Sequence, residues 1–133
     1  MPAILGVSHT SLTVRDMEKS ADWYQRVFGW IEIGRLVDGE AISPRILLFD
    51  ASTGFALGLS QPDDGSGDDF DYRRTGLDHL AFGLSDYEEL DRWGAHLDEL
   101  AVARSPVREL DLGKFISFED PDGIQLELWV NRR

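Results

Sequence analysis

The sequence predicts an α+β chain built from two βαβββ modules. Short runs that alternate apolar with small polar residues begin near Gly6 and near Leu77, and an apolar stripe at helical spacing follows each run. The two halves also repeat: His9 and His79 are 70 apart, as are Asp16 and Asp86, while residues 54–60 match 123–129 at an offset of 69.

In the first half, Gly6 to Val14 reads as a strand with Thr10, Leu12 and Val14 on one face and His9, Ser11 and Thr13 on the other. Asp16 is a helix N-cap, and Met17, Ala21, Tyr24, Val27 and Phe28 form a stripe that Gly29 ends. Three strands are expected next, over Trp30–Val37, Arg45–Phe49 and Phe55–Ser60. Their separators are the turn-forming Asp38-Gly39-Glu40 and Ser52-Thr53-Gly54. This module occupies 5–61.

Residues 62–76 are acidic and glycine-containing and read as a linker or surface loop. The second module, 77–131, repeats the plan within a single domain spanning 1–133. Leu80, Phe82 and Leu84 oppose His79, Ala81 and Gly83 along its first strand. Ser85 with Glu88 predicts a capping box, and Leu90, Trp93, Leu97 and Leu100 continue as the helical stripe. Strands are expected over Val102–Leu110, Lys114–Glu119 and Ile124–Val130, the last two joined by the turn Asp120-Pro121-Asp122-Gly123.

Composition narrows the function. At 42% hydrophobic content, 133 residues suffice for an ordinary core. The formal charge of -12 argues against nucleic acid and anionic membrane surfaces as partners. With no cysteine, disulfides, thiolate metal sites and thiol nucleophiles are excluded, so any metal takes N and O ligands. No basic leader with a long apolar run begins the chain and no 18-residue apolar stretch occurs, so a cytoplasmic location is expected.

Each first strand shows one histidine on its small, polar face, and the last strand shows Glu127, the repeat mate of Gly58, on the corresponding face. A curved sheet that brought His9, His79 and Glu127 together would make a two-imidazole, one-carboxylate site. Such a set suits one divalent ion among Fe, Mn, Zn, Ni and Co and leaves positions open for water or substrate. Taken singly, a strand histidine or glutamate is ordinarily a packed or solvated side chain; it is the repeat that singles these three out.

Ser8-His9-Thr10, Trp23-Tyr24, Phe28-Gly29-Trp30, Leu77 through Phe82 and Asp120 through Leu128 together resemble the vicinal oxygen chelate superfamily, the glyoxalase, bleomycin resistance and extradiol dioxygenase proteins. The resemblance spans essentially the whole chain. It implies paired βαβββ modules rolled into a curved sheet cup, metal ligands at His9, His79 and Glu127, and a homodimer that can share the metal site between chains. It does not name a reaction. Glyoxalase I has a carboxylate ligand, and methylmalonyl-CoA epimerase an amide, where Gly58 stands here. Ring-cleaving dioxygenases add a pocket histidine and tyrosine, whereas the remaining histidine, His96, is on a helix. Fosfomycin-modifying members place a tyrosine where Ser117 stands and basic contacts beyond Arg133, which argues against fosfomycin as substrate.

The expected cup wall holds Ser11, Thr13, Gly58, Ser60, Phe115, Ser117, Gln125 and Trp129 as substrate contacts, together with Ala56, Ala81 and Gly83. Glu127 is the expected catalytic group, orienting or accepting a proton, and Lys114 and Arg45 are candidates to approach an anionic substrate. The leading expectation is a metal-dependent enzyme acting on a small substrate chelated through neighbouring oxygens, lyase, isomerase or dioxygenase in type. The alternative is a metal-free protein that binds or sequesters a small molecule in the bleomycin-resistance manner. A third reading, a regulatory protein docking through the acidic Asp63–Asp71 stretch, has only a charge run behind it.

Overall fold

The computed structural model describes residues 1–36 and 43–132. The element order is β1 (Thr10–Thr13), α1 (Met17–Phe28), β2 (Ile31–Leu36), β3 (Arg45–Phe49), β4 (Ala56–Ser60), β5 (Leu80–Gly83), α2 (Tyr87–Glu99), β6 (Arg108–Leu110), β7 (Gly113–Glu119) and β8 (Gln125–Asn131). The chain forms two compact units, Met1–Asp68 and Asp69–Arg133. Each contains one helix and one four-stranded sheet, ordered β1-β4-β3-β2 in the first and β5-β8-β7-β6 in the second. The α+β class read from the sequence is therefore the observed one. The expected turn at Asp38-Gly39-Glu40, and Val37 before it, lie outside the described residues. No helix among the described residues is long and apolar enough to cross a membrane.

In the first unit, Asp16 accepts a hydrogen bond from the Lys19 backbone N–H at 3.1 Å and starts α1. Gly29 ends it at φ 71°, its N–H donating to the Gln25 carbonyl. The helix stripe delivers Ala21, Tyr24 and Val27 to a core shared with Leu12, Ile46, Leu48, Leu57 and Leu59. These strand residues sit at alternate positions, so they all leave the sheet on the helix side. Only Thr10–Thr13 pairs with β4, as a parallel strand, so β1 begins four residues later than the alternation suggested. Residues 6–9 stay outside the ladder.

The second unit repeats this with three differences from the sequence reading. The cap of α2 is Asp86, which accepts from the Glu89 N–H at 2.9 Å; Ser85, the expected cap, instead donates from its hydroxyl to Asp86. Sheet pairing continues close to the helix: Leu84 N–H, two residues before the cap, donates to the Trp129 carbonyl. Next, the expected strand over Val102–Leu110 shrinks to Arg108–Leu110 with an isolated bridge between Arg104 and Phe118. Pro106, which has no N–H to donate, lies between the two pieces. Third, Ala101 adopts φ 55°, the left-handed position of a helix end in which its N–H bonds the Asp98 carbonyl and that of Val102 bonds Leu97.

Candidate metal centre

Strand register explains why His79 and Glu127 meet. His79 immediately precedes β5, and Ala81, two residues on and on the same side, is the cross-strand partner of Glu127 on β8. The His79 Nε2 to Glu127 Oε2 distance is 3.5 Å. Ala81 carries only a methyl group, which leaves the space beside it to the glutamate. In the first unit the corresponding partners are Ser11 and Gly58. A Cβ added at Gly58 would lie 2.8 Å from the Ser11 hydroxyl oxygen, so that half of the repeat has filled the acid's place with a serine.

Both members of the pair are held from behind. His79 Nδ1 lies 2.7 Å from Asp78 Oδ1. A carboxylate only accepts, so Nδ1 carries a proton in this contact; in the neutral ring the lone pair is then on Nε2, the atom facing Glu127. Trp129 Nε1 donates to Glu127 Oε2, and the glutamate side chain is 16% exposed. Two acceptor atoms that face each other at this separation repel unless positive charge lies between them. Ligand atoms each about 2.1 Å from a tetrahedral ion are roughly 3.4 Å apart, so the pair fits two corners of a divalent site. A carboxylate supporting the far nitrogen of a metal-binding histidine is the usual outer arrangement of such centres. Asp78 was not singled out by alternation, because even spacing groups it with Leu80, Phe82 and Leu84 on the apolar face; its adjacency to His79 was the available signal.

His9 stands in the first unit where His79 stands in the second, just before the first strand, exposed, with Nδ1 3.1 Å from the Ser8 hydroxyl. Among the described residues no group of three or more histidine or carboxylate side chains is assembled. The second unit by itself delivers the His79–Glu127 pair.

The expected wall residues fall on two sheets. Ser11, Thr13, Gly58 and Ser60 share one face of the first, with Ser11 opposite Gly58 and Thr13 opposite Ser60. Ser11 and Thr13 are exposed, Gly58 and Ser60 buried. In the second, Ser117 is opposite Glu127, Phe115 opposite Trp129, and Gln125 opposite Glu119, all on the Glu127 face. The Phe115 and Trp129 rings stack with centroids 4.4 Å apart and planes 6° from parallel. Beyond Trp129 comes Gly83, where an added Cβ would meet nothing within 4 Å. His79, Ala81, Gly83, Leu112 and Trp129 line a cavity of about 300 Å³ there. Gln125 is engaged elsewhere, its amide donating to Glu119 at 2.7 Å. Lys114 does not approach this face: its ammonium lies 4.5 Å from the Tyr87 ring centroid on α2. Arg45 is on the Gly58 face opposite Ser60 and donates to the Ser43 carbonyl at 3.3 Å. His96 is on α2, edge-on to Trp93 at 5.3 Å.

Known proteins share this arrangement of elements. The family model of the Glyoxalase/Bleomycin resistance protein/Dioxygenase superfamily matches residues 6–128. Metallothiol transferase FosB of Lysinibacillus sphaericus (strain C3-41) is 32% identical over 126 residues, 93% of this chain and 81% of that protein. The glyoxylase/bleomycin resistance protein/dioxygenase domain from Frankia sp. EAN1pec is 35% identical, with 98% of this chain and 100% of that one covered at a TM-score of 0.87. The fosfomycin resistance protein FosX from Listeria monocytogenes, as a point mutant complexed with Mn(II) and 1S,2S-dihydroxypropylphosphonic acid, is 26% identical. That match covers 98% of this chain and 93% of that one at a TM-score of 0.72. The match to the family model over nearly the whole chain, on a doubled βαβββ architecture, establishes that this protein belongs to the Glyoxalase/Bleomycin resistance protein/Dioxygenase superfamily.

Proposed function

We propose that the protein is a metal-dependent enzyme that acts on a small molecule chelated through two neighbouring oxygens. His79 and Glu127 are two of its ligands, and His9, from this chain or from a second copy in a homodimer, is the third. The observation that carries the reading is His79 Nε2 facing Glu127 Oε2 at 3.5 Å, with Nδ1 committed to Asp78. A divalent ion at this place supplies Lewis acidity to bound oxygens as negative charge develops on them. Support also comes from FosX, whose complex pairs Mn(II) with a molecule named as a vicinal dihydroxy compound.

The chain's own side chains divide the remaining work. Trp129 fixes one oxygen of Glu127, which leaves the other to take or return a proton, the catalytic role assigned to this residue. Trp129, backed by Phe115, forms a flat wall beside His79, and the absent side chain at Gly83 and the single methyl at Ala81 leave room for substrate. Ser117 adds a polar contact from the same face, Gln125 offers only the amide oxygen left over from its bond to Glu119, and Ser11, Thr13, Gly58 and Ser60 contribute the small, polar face of the first sheet.

Elemental analysis of protein purified without chelators tests this. Roughly one equivalent of Fe, Mn, Zn, Ni or Co is expected in the wild type and a large loss in each of His79→Ala, Glu127→Ala and His9→Ala. Metal-free wild type that still binds small aromatic molecules would instead mark a sequestering protein. Co-expression of His9→Ala with Glu127→Ala chains locates the third ligand. A site shared between chains regains metal in mixed dimers, whereas a site within one chain does not.

A further inference from the structure

Among the described residues, the lysine and arginine side chains of the second unit are, with one exception, committed to partners. Arg73 is forked by Asp71, Arg92 is held by Glu88 and Glu89, Arg104 by Asp98, Arg132 by Glu109, and Lys114 lies over Tyr87. Arg74 also has a partner. Arg108 makes no hydrogen bond or ion pair among the described residues, although the chain has 25 acidic residues. Its position is set by register. Arg108 is opposite Phe115, and Phe115 is opposite Trp129, so all three leave the sheet on the Glu127 face. Glu109, the next residue, is opposite Lys114 and points the other way, toward the helix side.

Arg108 also lines a cavity of about 480 Å³ with Ser105, Ser117, Glu119 and Gln125. Two carboxylates, Glu119 and Asp120, also line it, and neither takes the guanidinium: Glu119 accepts from Gln125, and Asp120 accepts from the Asp122 and Ile124 backbone N–H groups. Ser117 links the two regions, since it lines this cavity and is the cross-strand partner of Glu127. Two strand spacings and two residues separate Arg108 from Glu127, so their Cα atoms are roughly 12 Å apart. A ligand about one aromatic ring long therefore spans from the pair to an extended arginine.

We infer that Arg108 is a specificity-determining residue that receives a carboxylate on the substrate while the substrate's neighbouring oxygens face His79 and Glu127. This rests on the metal-centred reading above. A planar guanidinium offers two parallel donors to a carboxylate. The need for it is electrostatic: a chain at -12 repels anions, and a local cation on the site face offsets that repulsion.

The test compares two chelating probes, 3,4-dihydroxybenzoate and catechol, by anaerobic calorimetry on Mn(II)-loaded protein, after a separate Mn(II) titration of each variant. Wild type is expected to bind the carboxylate probe roughly tenfold more tightly. R108Q should bring the ratio near one while still binding Mn(II), R108K should keep part of it, and R132Q should keep all of it. Added salt should lower the wild-type ratio. If wild type shows no preference, or R108Q keeps it with Mn(II) bound, the role of Arg108 is overturned and the metal centre stands. If wild type fails to take up Mn(II) and contains no other divalent ion, both readings fall together.

Discussion

At the scale of single residues, the site depends on which nitrogen of His79 carries the proton. Asp78 fixes this by accepting from Nδ1 at 2.7 Å. Asp78→Asn keeps the shape but removes the carboxylate, and is expected to weaken metal binding by about 10- to 100-fold, read from Mn(II) or Zn(II) titrations against a competing chelator. Ser11 and Gly58 make a second residue-scale point. Gly58→Ala alone brings a Cβ to 2.8 Å from the Ser11 hydroxyl oxygen, so the serine must rotate. In a Ser11→Ala background the clash with the hydroxyl disappears, and Gly58→Ala should cost measurably less in urea denaturation. Sequence reasoning singled out the two histidines and Glu127 as candidates because a repeat makes coincidences visible. It did not find Arg108, since alternation within three residues carries too little periodicity to assign a face.

At the scale of elements, both helices start on an aspartate, and in α2 the carboxyl of Asp86 is held below its ordinary range, chiefly by the Glu89 backbone N–H and then by the Ser85 hydroxyl. A carboxylate whose folded value is depressed contributes stability that is present above its unfolded value and is lost as pH falls through the folded one. The first turn of α2 should therefore stay protected from amide exchange while ordinary carboxylates protonate, and open only at lower pH; Asp86→Asn should flatten that dependence. In α1, Asp16→Ala is expected to cost about 1 kcal/mol in urea denaturation. The end of α2 offers the opposite change. Ala101 occupies a left-handed conformation, φ 55°, that glycine adopts without a side-chain penalty, so Ala101→Gly is expected to stabilise the protein by roughly 0.5–1 kcal/mol. The repeat also bears on the capping residue: Asp86 is the mate of Asp16, and that correspondence outweighs the local Ser85–Glu88 pattern.

At the scale of the whole molecule, each unit presents one sheet face to its helix and carries its candidate polar residues on the other. If the protein is the proposed homodimer, sedimentation at micromolar concentration will return twice the 15.0 kDa chain mass. A monomer at that concentration would assign all three ligands to one chain. The doubled βαβββ plan, the absence of thiolate ligands and the three candidate ligands followed from the sequence, because alternation, helical stripes and a fixed offset are properties of linear order. Which side chains meet was decided only by tertiary structure. Cross-strand register placed Ala81 beside Glu127 and Arg108 beside Phe115, and directed Lys114 toward Tyr87. A shift of one residue in pairing reverses every face, and no local pattern contains that information.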